Sequence, residues 1–145
     1  MIGRAIATQR PRPSPGRRHV NYSGTHLLAD LFGCTGLDDI DRVEAALRAA
    51  VTAAGASLLE IRLHSFGTGQ GVTGVALLAE SHISIHTWPE RAYAAIDIFL
   101  CGETNDLDAA LAALILGLGA ERHDEQRIPR GFSAYQAPAI APIVT

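Results

Sequence analysis

Apolar positions recur along this chain with two periods, and each change of period marks an element. His26 to Cys34 reads as a short apolar strand between Ser23-Gly24 and Gly36. From Leu37 to Ala54, apolar residues fall at Ile40, Val43, Leu47, Val51 and Ala54, the spacing of one helix face. Asp38, Asp39 and Asp41 cluster at its start, where the positive end of a helix favours acids, and Gly55 supplies a stop. Leu58 to Phe66 alternates as a strand, and Gly67-Thr68-Gly69-Gln70-Gly71 makes a flexible connection. Val72 to Trp88 reads as one long strand, with any bend near Ser81. Pro89-Glu90-Arg91 turns the chain into a strand over Tyr93 to Cys101, so the two form a hairpin. Asp106 to Leu118 is a second helix with Leu107, Leu111, Leu114 and Leu118 on one side, and a last short strand lies near Glu121 to Ile128.

The order strand, helix, strand, strand, strand, helix, strand predicts an α+β two-layer sandwich, an antiparallel sheet with two helices packed on one face. Side chains alternate across a strand, so His82, Ser84, His86 and Trp88 share one face and Ile83, Ile85 and Thr87 share the other, along with Ser81. Unpartnered imidazoles are costly in a dry core. The histidine face is therefore expected to be the open or interfacial one. Asp97 punctuates the apolar strand that follows.

Charge divides the chain. Residues 1–20 hold five arginines and no acid, while the remainder carries seven arginines against fifteen acids. An acidic folded part argues against a nucleic-acid surface. We expect a disordered basic tail over residues 1–18, one domain over 19–130 and a loose Pro/Ala-rich tail over 131–145. No apolar stretch reaches the roughly 20 residues that span a bilayer, and the arginine-rich start lacks the apolar segment of a secretory signal. Two cysteines, Cys34 and Cys101, make no disulfide framework, so a cytoplasmic setting without membrane contact is expected.

Candidate chemistry concentrates in residues 80 to 102. Glu80-Ser81, two histidines, a Trp88-Pro89-Glu90 corner and Cys101 fall in two strand-like runs. Each alone has a bland reading: a packing serine, a satisfied histidine, a cysteine acting as a small hydrophobe. His82 and His86 carry a metal-ligand residue type, but the zincin pattern has Glu directly after the first His and sits on a helix, so no metal is expected. The chain also has no lysine; all twelve basic residues are arginine. Pyridoxal phosphate is held through a lysine Schiff base, so that cofactor is excluded. If the protein does carbanion chemistry, its electron-withdrawing carbonyl must come from elsewhere, for instance from a rearranged serine of the chain.

The run from Glu80 to Glu90, followed by Tyr93 to Phe99 and Cys101-Gly102, resembles the short prokaryotic S-adenosylmethionine decarboxylase proenzymes. The resemblance extends upstream through Gly71-Val72-Thr73-Gly74-Val75 to Gly24-Thr25-His26-Leu27-Leu28-Ala29-Asp30, about residues 19 to 128 in all. It implies self-cleavage between Glu80 and Ser81, giving a β chain of residues 1–80 and an α chain of 81–145 that begins with a pyruvoyl group. By the same resemblance Ser81 is the pyruvoyl precursor and Schiff-base former, His86 the proton acceptor in processing and Thr73 the processing hydroxyl. Cys101 is the proton donor in catalysis, Glu90 binds ribose hydroxyls and Phe66 stacks on the substrate. The implied substrate is S-adenosylmethionine, whose decarboxylated product serves spermidine synthesis, and the implied assembly is a homodimer of αβ protomers. Two departures stand out: Thr73 replaces a usual serine, and the Gly67–Gln70 loop is about one residue longer and lacks a customary proline. Alternatives are the same scaffold acting on arginine or ornithine, and a non-cleaving ligand-binding homologue.

Overall fold

A computed structural model describes residues 24–101 and 104–131; the expected tails, 1–18 and 131–145, lie outside the described residues except for Gly131. The elements run β1 (Gly24–Phe32), α1 (Ile40–Ala53), β2 (Leu58–Ser65), β3 (Val72–Leu78), β4 (Ser81–Trp88), a short 3-10 turn (Pro89–Arg91), β5 (Tyr93–Cys101), α2 (Leu107–Leu118) and β6 (Arg122–Arg130). The strands form one sheet in the order β2-β3-β4-β5-β1-β6, and every neighbouring pair is antiparallel. This is the α+β architecture that the pattern predicts.

Helix α1 begins at Ile40 rather than Leu37 because Asp39 caps it, accepting from the Asp41 and Arg42 N–H groups at 3.0 and 3.3 Å. Its buried face is Val43, Ala46, Leu47, Ala50 and Val51; that of α2 is Ala110, Leu111, Leu114 and Leu118. The two faces cover Leu27, Leu31, Ile83, Ile85 and Ile98 of the sheet. Each such aliphatic side chain stabilises the fold by about 1.5–3 kcal/mol when fully buried. Gly117 lets the helices approach, since a Cβ there would lie 2.9 Å from that of Ala46.

One expectation is corrected. Residues 72–88 are two strands, not one: β3 and β4 pair antiparallel with Leu78 opposite Ser81, and Ala79-Glu80 form the turn between them. Neither residue is a turn former, so composition gave no warning. The special conformation falls instead on Ser81, whose φ of 140° lies where glycine is usual.

The other sheet face has no helix over it among the described residues. It presents His82, Ser84, His86 and Trp88 of β4 beside Asp97, Phe99 and Cys101 of β5 and His26 and Leu28 of β1. The buried partners Ile83, Ile85 and Thr87 point to the helices. Thr87 is the one buried polar side chain among the described residues; its hydroxyl donates to the Leu37 carbonyl at 2.8 Å and accepts from the Val72 N–H at 2.7 Å. It ties β3 and β4 to the chain entering α1.

Candidate active site

The turn before β4 is held from three directions. The Glu80 carbonyl oxygen accepts from the Cys101 N–H at 3.0 Å, the Glu80 carboxylate accepts from the Ser57 N–H at 3.0 Å, and the Ala79 N–H donates to the Ser57 carbonyl at 3.0 Å. Ser81 follows in a conformation that costs a non-glycine residue of order 1–3 kcal/mol. That distortion also breaks strand parity. Adjacent side chains of a regular strand point apart, yet Ser81 Oγ lies 3.2 Å from His82 Nδ1.

A second group of residues lies at the far end of the same strands. Thr73 faces His86 across β3 and β4, and its hydroxyl lies 2.6 Å from His86 Nδ1. Both line a cleft of about 430 Å³ with Phe66, Gln70, Trp88 and Glu90. Phe66 is exposed at the rim and meets His64 edge to face at 4.8 Å, while Trp88 stacks on Tyr93 at 5.2 Å. The cleft offers aromatic faces, a carboxylate and an imidazole, a set suited to a cationic or nucleoside-like ligand.

The structure thus divides the expected site residues. Glu80, Ser81 and Cys101 stand at one pole; Thr73, His86, Glu90 and Phe66 stand at the other. Ser81 and His86 are five residues apart along β4, about 16 Å at strand rise. Nearness in sequence does not bring them together within one chain. By the same spacing His82 and His86 are about 13 Å apart, too far to share an ion.

A family model described as S-adenosylmethionine decarboxylase matches residues 25–131. The chain belongs to that family. Among its relatives, the S-adenosylmethionine decarboxylase proenzyme of Thermomicrobium roseum is 41% identical over 108 residues, covering 74% of this chain and 93% of that one. The proenzyme of Methanococcus aeolicus is 47% identical over 114 residues, covering 77% and 97%. The crystal structure of the Aquifex aeolicus adenosylmethionine decarboxylase superposes with a TM-score of 0.71 at 35% identity, covering 81% of this chain and 98% of that one.

In this S-adenosylmethionine decarboxylase family member, sequence reading passed over one cluster. Asp97 accepts from three side chains: His26 Nε2 at 2.7 Å, His82 Nε2 at 3.3 Å and the Ser84 hydroxyl. Burial pushes the Asp97 carboxyl up, but the hydrogen bonds from Ser84, His26 and His82 outweigh it and hold the group below the usual aspartate value. The polar residue in an apolar strand was the available signal; its partner His26, 71 residues away, was not legible. The ligand atoms of His26, His82 and Asp97 lie within 4.8 Å of one another. Both imidazoles bond the carboxylate through Nε2, and their Nδ1 atoms meet Ser81 Oγ and Arg130 Nη1, so we read a proton network there. Cys34 is a core residue whose thiol burial pushes up, against an opposing pull from Arg42. No helix among the described residues is long and apolar enough to cross a membrane.

Proposed function

We propose that this chain is a self-processing, pyruvoyl-dependent decarboxylase of S-adenosylmethionine. One observation carries the reading: a strained Ser81 follows a Glu80 carbonyl that already accepts from the Cys101 N–H at 3.0 Å. Attack by Ser81 Oγ on that carbonyl moves negative charge onto the oxygen which the N–H holds, as an oxyanion hole does. Release of the positive φ favours the same step. The peptide bond becomes an ester, loss of the Ser81 α-proton expels the Glu80 carboxylate, and hydrolysis of the dehydroalanine, which takes up water and releases the Ser81 nitrogen as ammonia, leaves the pyruvoyl group at the head of residues 81–145. The absence of lysine supports this source of the carbonyl over pyridoxal phosphate.

The pyruvoyl group, once formed, supplies the electron-withdrawing carbonyl for loss of carbon dioxide. This chain's own residues do the rest. Cys101, beside the cleavage point, holds the proton delivered to the substrate's α-carbon. His86 takes the Ser81 α-proton during processing and Thr73, paired with it, supplies the processing hydroxyl. Glu90 accepts from ribose hydroxyls and Phe66 covers the adenine and sulfonium. The resemblance of Glu90 to the family's ribose-binding residue, with the aromatic faces of Phe66 and Trp88 in the same cleft, favours a nucleoside substrate over arginine or ornithine. The product is the aminopropyl donor of spermidine synthesis. Two free cysteines fit a reducing, cytoplasmic setting.

The two poles argue for a homodimer. Within one chain His86 cannot reach Ser81, whereas a second copy laid antiparallel can bring its Thr73–His86–Glu90 pole to the first copy's Ser81. The uncovered sheet face supplies the surface, with Leu28, Leu77, Trp88 and Ile128 each 38 to 42% exposed. The test is release of labelled carbon dioxide by the purified protein. S-adenosylmethionine labelled at the carboxyl is expected to yield it, and arginine and ornithine are not. Turnover of either amino acid in its place would overturn the substrate assignment.

A further inference from the structure

Processing as described needs a base for the Ser81 hydroxyl, and His86 is about 16 Å away along its own strand. A hydroxyl is a poor nucleophile until a neighbouring base activates it. The imidazole of its own chain within reach is His82, whose Nδ1 lies 3.2 Å from Ser81 Oγ, and the partner's His86 is engaged by Thr73 and kept for the α-proton.

Its proton can be placed from its neighbours. Arg130 Nη1 lies 3.1 Å from His26 Nδ1, and a guanidinium only donates, so His26 Nδ1 is bare and its proton is on Nε2. That proton goes to Asp97 Oδ2 at 2.7 Å. Ser84 donates to the other carboxylate oxygen. Asp97 is thus a fixed acceptor, and His82 Nε2, 3.3 Å from Oδ2, meets it with an N–H. His82 Nδ1 is left with its lone pair toward Ser81 Oγ. Phe99 closes the cluster from the side, with ring centroids 5.2 Å from His26 and 6.2 Å from His82.

We propose that His82 is the catalytic base of the first processing step, with Asp97 as its positioning residue. This rests on the self-processing reading above. As Ser81 Oγ bonds to the Glu80 carbonyl carbon, His82 Nδ1 takes the hydroxyl proton. As the bond from that carbon to the Ser81 nitrogen breaks, His82 returns the proton to the departing amine. Atoms and charge balance with no added reactant: an amide and a hydroxyl become an ester and an amine. His86 of the second copy acts afterwards, on the α-proton, so two proton transfers at one Ser81 are divided between a histidine of its own chain and one of the partner.

The test follows the splitting of freshly made full-length chain by intact mass and denaturing gels. A positioned base contributes about 10²–10⁴-fold, so His82→Ala and His82→Gln are expected to split at least about 100-fold more slowly. Hydroxylamine, which cuts esters but not ordinary amides, separates the two steps. The stalled His82 variants are expected to resist it, and a stalled His86→Ala chain to be cut at residue 81. Added imidazole is expected to speed His82→Ala. Asp97→Asn is expected to slow the same step, and Asp97→Glu, which keeps the charge, to recover part of it. His82→Gln keeps a polar side chain and decides the matter if His82→Ala does not fold. A His82→Gln chain that splits at the wild-type rate, or stalls as a hydroxylamine-sensitive ester, would overturn this inference and leave self-processing intact. A wild-type chain that never splits would overturn the self-processing reading itself.

Discussion

Asp97 is a residue on which two effects oppose each other. Burial raises its carboxyl, three hydrogen bonds lower it, and the net direction is down. The sign of its contribution to stability follows. A group held below its unfolded value stabilises the fold above that value, 3.8 for aspartate, and loses the contribution as pH falls through the folded one. Denaturant melts at descending pH should therefore show a steeper loss below 3.8 for the wild-type chain than for Asp97→Asn. Equal slopes would mean that the three donors do not favour the carboxylate. At this scale the sequence was partly legible. Strand parity put His82, Ser84 and His86 on an open face, and there they lie. Parity could not show that His26 of β1 meets Asp97, because that contact depends on which strands are neighbours.

Among elements, helices and most strands were legible because their apolar period continues unbroken over several turns or alternations. The β3–β4 turn was not, and the reason is physical. A two-residue connection normally advertises itself with Gly, Asn or Asp. Here Ala79-Glu80 make the turn and Ser81 takes the positive φ that glycine would take without strain. The unusual residue choice falls on the bond we expect to break. Ser81→Gly and Ser81→Ala both remove the hydroxyl and should remain uncut. Ser81→Gly should be the more stable, by about 1 kcal/mol or somewhat more, because it removes the strain. Calorimetry of the two variants checks this, and equal melting would show that φ at residue 81 stores no energy. Strain at this turn, rather than in the sheet it joins, would let the fold survive the cut.

For the whole molecule, the division of candidate residues between two poles was invisible in a motif that runs continuously from Glu80 to Glu90. Sequence proximity suggested one site; strand geometry spreads it over about 16 Å. A dimer in which each site takes one pole from each chain reconciles the two. Co-expression of Ser81→Ala with His86→Ala tests it. In the mixed dimer only the His86→Ala chain has a Ser81 hydroxyl and a partner's imidazole, so that chain alone should be cut. If neither chain is cut, His86 serves its own chain or none.

Whether the chain makes its own catalytic carbonyl at residue 81 is decided by the intact mass of the purified protein. Two fragments divided between Glu80 and Ser81 are expected, the first at its sequence mass and the second lighter than its sequence by a net one ammonia and without a free α-amine. A single full-length mass that persists on long incubation would contradict self-processing.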